Sequence, residues 1–301
     1  MMTKSLIPIL LTCLLTGMVI PVFSNAADPI KVMIVGGQNN HNWELSTPYM
    51  KELLDRKPQF QATICNAPSR DADTSEWDAW QPNFSDFDVV LLDYNGQMWP
   101  ERVREDFVRY VRQGGGVMVI HAANNAFTGW KEYEQMVGLL WRNPKYGYSL
   151  YVDDQGKVVR EAPGEGRGMG HGSQYDWMMT VRDSDHPITE GMPKHWMHKH
   201  DELYHGQRGP AEDIHILLTA YSDPAPNRGG TGKHEPIVWW VPYGEGRVLT
   251  NVMGHVGQLG CMHCVGFQVL LHRGCEWLAT GETQTPIPDN FPTAEATSLN
   301  P

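Results

Sequence analysis

Basic charge is scarce in this 301-residue chain: 24 Lys and Arg stand against 35 Asp and Glu, for a formal net charge of −11. That balance excludes an electrostatic hold on nucleic acid or on an anionic membrane, and it suits a neutral or cationic ligand. Beyond the N-terminal segment no apolar run is long enough to span a bilayer. Nucleophile motifs are missing. There is no Gly-x-Ser-x-Gly, and the glycines at Gly114–Gly116 precede a strand-like run instead of joining a strand to a helix, so they do not form a phosphate-cradling loop. A nucleotide enzyme is thereby set aside. Cys261 and Cys264 form a lone Cys-x-x-Cys, without a second such pair or a His-x-x-x-His, which argues against a zinc finger. The pair is left as a local disulfide, half of a metal site or two thiols. No internal repeat is visible.

What is present begins with Lys4, an apolar stretch from Ser5 to Val22 and the small residues of Ser24-Asn25-Ala26. This is the pattern of a cleaved export signal over residues 1–27, and it places the mature chain in the periplasm or outside the cell. Removing Lys4 leaves that chain one unit more acidic. Four cysteines remain, Cys65, Cys261, Cys264 and Cys275, in a compartment that permits disulfides.

Residues 28–281 read as one α/β domain. Short, largely apolar runs at Ile30–Val35, Asp88–Asp93 and Gly116–His121 have the pattern of strands buried on both faces, and Phe60–Ile64 is a further strand. Helices alternate with them. One is expected to start at Thr47, with Pro48 in its first position. A second opens at Pro100 and turns Val103, Phe107, Tyr110 and Val111 inward. A third covers roughly 131–141, and Val265–Thr280 closes the domain with Gly281 as its stop. The alternation predicts a doubly wound, mostly parallel sheet with helices on both faces. Pro236–Pro242 and Arg247–Met253 add a β-hairpin. Residues 142–176, rich in Gly, Pro and Tyr, read as a loop excursion, a lid or a surface loop. Residues 282–301 read as a disordered tail.

Ligands of open α/β sheets bind beyond the carboxyl ends of the strands. Several polar clusters fall there: His41 with Trp43, Asp93 with Asn95, His121 with Asn124, His255, and Asp201-Glu202-Leu203-Tyr204. Histidines and carboxylates that can move protons, beside aromatics and amides that can take a sugar ring and its hydroxyls, describe a carbohydrate site. Asp201 and Glu202 are adjacent, so on a strand at most one need face that site. His195, His198, His200 and His205 form the densest histidine group, either exposed or able to bind a divalent metal. Trp239 and Trp240 read as core.

These residues together resemble the ThuA-like (trehalose utilisation) family of the class I glutamine amidotransferase-like superfamily. The resemblance is carried by Lys31–Val35 with His41 and Trp43, by Gly114–His121-Ala122, and by His186-Pro187-Ile188. It continues through Asp201–Tyr204, the hairpin ending in Asn251-Val-Met-Gly-His255, Gly266-Phe-Gln268 and Arg273–Trp277. It runs from about residue 30 to 281, and it implies a flavodoxin-like sheet. It also implies catabolism of trehalose and related disaccharides, beside sugar dehydrogenases that produce 3-keto sugars. Amidotransferases of the superfamily carry a cysteine nucleophile on a turn after a central strand. The matching turn here is His121-Ala122-Ala123, so thiol-based amide hydrolysis is not expected.

The resulting expectation is an exported enzyme of glycoside or 3-keto-glycoside hydrolase or lyase type. His121, His255, Asp201 and Glu202 are its catalytic groups, with the two histidines moving protons or binding metal, and His41, Trp43, Asn95, Asn124 and Tyr204 contact the sugar. No cofactor is demanded, though a divalent metal is admitted. The partner is a small-molecule carbohydrate, with no nucleic acid and, after signal cleavage, no membrane; a homo-oligomer is compatible. The alternatives are a sugar-binding or accessory protein without turnover, and a structural metal protein built on Cys261, His263 and Cys264.

Overall fold

The computed structural model describes residues 28–257 and 259–301; the expected export signal lies outside them. In chain order the elements are β1 (Ile30–Val35), α1 (Trp43–Asp55), β2 (Phe60–Ile64), α2 (Thr74–Ala79), β3 (Val89–Leu92), α3 (Glu101–Arg112), β4 (Gly116–Ile120) and α4 (Lys131–Val137). They continue with β5 (Tyr148–Val152), β6 (Val158–Glu161), β7 (Tyr175–Val181), β8 (His195–Asp201), β9 (Arg208–Gly209), β10 (His215–Tyr221), β11 (His234–Tyr243), β12 (Gly246–Asn251) and α5 (Val265–Thr280).

The alternation of side chains along each central strand sorts the core into two layers. Val32, Ile34, Val89, Leu91, Met118 and Ile120 pack with the apolar faces of α1 and α5. Their neighbours Met33, Val35, Val90, Leu92, Val117 and Val119 pack with α3 and α4. A strand covered on both faces has no position for a polar residue until it ends, and there the polar residues gather. Among the described residues no helix is long and apolar enough to cross a membrane.

The fold is mixed α/β, and its strand order is β2-β1-β3-β4-β12-β11-β10-β7-β8. The expectation of a mostly parallel sheet holds for the first five strands only, which are parallel throughout. From β12 onward the pairing is antiparallel. The sequence reads strands at Met178–Val181 and Ile214–Ala220 as well as the hairpin, but not β8, whose His195-Trp-Met-His-Lys-His-Asp201 mixes histidine, lysine and aspartate with apolar residues. The hairpin is not peripheral either. Its second strand, β12, lies beside β4 in the middle of the sheet, with Asn251 opposite Ile120.

Other boundaries also differ from expectation. Helix α1 begins at Trp43, with Pro48 inside it, because Ser46 and Thr47 spend their hydroxyls on Asp93 and not on capping. Residues 142–176 hold a β5–β6 hairpin. The region before Phe84 contains α2, closed by a capping box between Asp73 and Glu76. The tail is docked, not disordered. Met197 donates to the Thr293 carbonyl (2.8 Å), Val265 to Ser298 (2.9 Å) and Asn300 to His263 (2.8 Å), and the Phe291 ring lies against Trp196. The last strand of the sheet and the first turn of α5 leave backbone groups that need partners, and the tail supplies them.

Glu235, in β11, is buried and accepts from the Gly206 amide (3.1 Å) and the Thr231 hydroxyl (2.6 Å). Burial pushes its pKa up to about 7, against those two donors. A carboxyl raised above its unfolded value of 4.5 stabilises the fold fully below that pH and loses the contribution as pH rises through 7. Urea unfolding from pH 4.5 to about 8 should therefore show the native chain losing of order 3 kcal/mol relative to Glu235→Gln. Parallel curves for the two proteins would contradict a neutral Glu235.

Candidate functional site

Four strands deliver polar groups to one edge of the sheet. His121 is the first residue past β4 and has a left-handed backbone, φ 46°, a conformation that costs a non-glycine residue about 1–2 kcal/mol. Its ring is fixed there, with Nδ1 2.8 Å from the Val252 carbonyl. That carbonyl can only accept, so Nδ1 donates to it and Nε2 is the nitrogen turned to the cluster. His255 arrives from β12 over a sharp turn at Gly254, φ 114°. His41 arrives from β1: its amide donates to the Asn39 side chain (3.0 Å), and Asn39 donates to Asp93 (3.2 Å). Glu202 is the first residue past β8.

The pieces meet closely. Ring centres of His41 and His121 are 4.6 Å apart, and those of His41 and His255 are 4.7 Å apart. Glu202 Oε2 is 3.6 Å from His121 Nε2, and Oε1 is 3.2 Å from His255 Nδ1. A ring nitrogen of each histidine and an oxygen of Glu202 all fall within 4.8 Å of one another, and these are the donor types that hold a divalent cation. The Tyr204 hydroxyl reaches His121 Nε2 at 3.1 Å.

Charge is concentrated in the same place. Burial would raise Glu202, but the imidazoles of His121 and His255 outweigh it and hold the carboxyl well below its ordinary range. The His255 pKa is raised by Glu202, against burial. Burial, and then the two neighbouring histidines, bring His41 down to about 4. Both of its ring nitrogens are buried without a hydrogen-bond partner.

Asp201 does not face this centre. Its carboxylate accepts from His198 Nε2 (2.8 Å) and from the amides of Gly254 (2.8 Å), His255 (3.0 Å) and Glu202 (2.8 Å). It is a strut, and its assignment as an acid/base group is corrected accordingly. Asn124 is buried and donates to Gln207 (3.1 Å), which in turn donates to the Pro236 carbonyl. Asn95 donates to Asn40 at the surface (2.6 Å), and Trp43 is the half-buried first residue of α1. The structure thus assembles His41, His121, Glu202, His255 and Tyr204, while Asn124 cross-links the core. The dense histidine group does not assemble: His195 and His200 are exposed and His198 pairs with Asp201. Cys65, Cys261, Cys264 and Cys275 are free thiols. Cys261 donates to the His255 carbonyl and His263 packs on Tyr49, so the Cys261-His263-Cys264 metal site does not form among the described residues.

Two further residues join the rim. His171 Nε2 is 3.4 Å from Glu202 Oε1, and Trp141 sets its ring edge-on to Tyr204 at 4.9 Å. His171 lies in the excursion 142–176 and Trp141 just before it. A histidine and a tryptophan bordering a glycine-rich stretch with no core pattern were the signal available in the sequence.

The sequence model of the ThuA family, described as trehalose utilisation, matches residues 31–278. The chain belongs to this family. Among solved structures, a protein described as ThuA-like from Parabacteroides merdae ATCC 43184 is 40% identical, with a TM-score of 0.85 over 91% of this chain and 98% of its own. A second, from Bacteroides uniformis ATCC 8492, is 19% identical and shares the fold, with a TM-score of 0.58 over 86% of this chain and 96% of its own. No curated protein matches the sequence.

In this ThuA family chain Asp201 fixes the two site residues that flank it in space. Asp201→Asn removes the charge opposite His198 and leaves one acceptor oxygen for several donors. Breaking a buried, hydrogen-bonded pair of this kind costs about 3 kcal/mol or more. Chemical denaturation should register that loss; an unchanged unfolding free energy would contradict the strut.

Proposed function

We propose that this chain is an exported enzyme of carbohydrate catabolism, acting on a trehalose-like disaccharide, a glycoside or its 3-keto derivative. Membership of the trehalose utilisation family supports the substrate class, and the N-terminal residue pattern supports export. The parallel order β2-β1-β3-β4-β12 supports the flavodoxin-like reading of the core, in which ligands bind past the carboxyl ends of the strands. One observation carries the enzyme reading. His41, His121, His255 and the ionised Glu202 converge at that edge with their reactive atoms pointed at one another, and Tyr204 and His171 stand at the rim.

The chemistry follows from these groups. A 3-keto group acidifies the neighbouring C–H, so cleavage by elimination needs a modest base and charge stabilisation at the ketone oxygen. The Glu202 carboxylate and the His171 imidazole beside it supply acceptors. Burial and the nearby Glu202 keep the Tyr204 hydroxyl protonated, so it serves as a donor to a substrate oxygen. Trp141 and the His171 ring offer faces on which a sugar ring can stack.

The test is incubation of the purified chain with trehalose, simple glucosides and their 3-keto forms, followed by product analysis. Sugar release is expected from the keto forms, and Glu202→Gln is expected to lower it by at least about 10²-fold. Ligand-dependent thermal stabilisation without any product would overturn the enzyme reading in favour of a sugar-binding protein.

A further inference from the structure

We propose that His41, His121, His255 and Glu202 are the four protein ligands of a single divalent transition-metal cation, of the zinc or manganese class. The first observation is His41. A buried imidazole normally has at least one nitrogen hydrogen-bonded, and leaving a buried polar atom unpaired costs about 1–3 kcal/mol. Both His41 nitrogens are in that state, and the ring is crowded by two other imidazoles at 4.6 and 4.7 Å. Packing alone gives no reason to collect three imidazoles around one carboxylate. A cation at their centre gives one nitrogen of each ring, His41 included, and an oxygen of Glu202 a common partner.

The second observation is how the ligands are held. Metal-bound histidines generally donate their other ring N–H to a carbonyl or carboxylate, which fixes the tautomer that coordinates. His121 does this through Nδ1 to Val252 at 2.8 Å. The backbone of His255 and that of Glu202 are both held by Asp201, and the amide of His41 is held by Asn39. Each ligand therefore comes from a different strand end and is braced by a group that cannot itself reach the centre.

The donor set indicates the cation. Three imidazoles select against magnesium and calcium, which prefer oxygen, and suit first-row transition cations, zinc foremost, while the Glu202 carboxylate admits manganese. With metal–ligand bonds near 2.1 Å, tetrahedral ligands stand about 3.4 Å apart and opposite ligands in a six-coordinate shell about 4.2 Å. The 3.2 and 3.6 Å separations of Glu202 from His255 and His121 suit neighbouring ligands of one cation, and a six-coordinate shell with four protein ligands leaves two positions free for substrate oxygens. Adjacent oxygens of a hydroxy-ketone or a vicinal diol would fit two such positions. That last step alone rests on the carbohydrate reading; the metal assignment rests on geometry. With His121 Nε2 given to the cation, the Tyr204 hydroxyl is free to turn to the bound oxygen.

The experiment uses the full chain without a histidine tag, stripped with chelator and dialysed against Zn²⁺ or Mn²⁺, with metal counted per chain by elemental analysis. One equivalent is expected, retained at micromolar free metal. His41→Ala and Glu202→Gln should each weaken retention at least tenfold, whereas His195→Ala and His200→Ala, in the exposed histidine group, should not. Thermal melts of the stripped variants check folding, and His255→Ala, at a partly exposed position, provides a second ligand deletion should His41→Ala fail to fold. Substoichiometric metal, or retention that survives loss of His41 or His255, would overturn the centre. A chain that binds one metal but turns over no sugar would sink the substrate proposal and leave the centre standing. Sugar turnover by a chain that takes up only substoichiometric metal would do the reverse.

Discussion

The buried carboxylate of Asp201 is the constraint on which the site depends. In the order of the sheet, β8 is separated from β12 by β11, β10 and β7, yet Asp201 at the end of β8 accepts from the backbone of Gly254 and His255 just past β12. The antiparallel half must therefore curl back until its last strand end meets the middle of the parallel half. Trp196 in β8 lies against Gly266 of α5, where a Cβ would fall 2.3 Å from the indole, so that the same glycine lets the curl close. A carboxylate in that position with fewer donors would carry a large desolvation cost. With His198 and three amides it is satisfied, and a two-part sheet gains one functional edge.

Asp93 does comparable work on the other side of the cluster. It takes the hydroxyls of Ser46 and Thr47 and, through Asn39, braces the loop bearing His41. Burial lifts its pKa to about 6, although Ser46 and Thr47 oppose the rise. His121 adds the third element, a strained turn at the end of the central strand. Where the resemblance to the amidotransferase-like superfamily implies a cysteine nucleophile, this chain has an imidazole, its Nε2 beside a carboxylate and its ring beside two other imidazoles.

The parallel half and most of the site residues were legible in the sequence, because their signals are local. Val32–Val35 and Gly116–Ile120 are apolar without interruption, and each ends close to where polar residues begin. The adjacency of Asp201 and Glu202 correctly implied that only one of them faces the centre, since successive side chains on a strand alternate, but not which one. That choice depends on where β12 passes, a contact more than fifty residues away in sequence. The same is true of β8 in the antiparallel half, a histidine-rich segment that resembles a surface strand until it is packed. His171 and Trp141 were missed for a related reason: residues in or beside a glycine-rich excursion acquire a role only from what the excursion lies over. Asn124 shows the opposite failure, a polar residue at the right strand end whose side chain turns to Gln207.

The account turns on whether the histidine–glutamate cluster gathers a cation at the curled edge. The most direct measurement is anomalous scattering from crystals of the full chain grown with Mn²⁺ or Zn²⁺, recorded on either side of the metal's absorption edge. The account predicts a single dominant peak enclosed by His41, His121, His255 and Glu202, with the Tyr204 hydroxyl no longer on His121 Nε2. A dominant peak at His195 or His200, or a cluster that keeps its contacts and shows no peak at saturating metal, would contradict it.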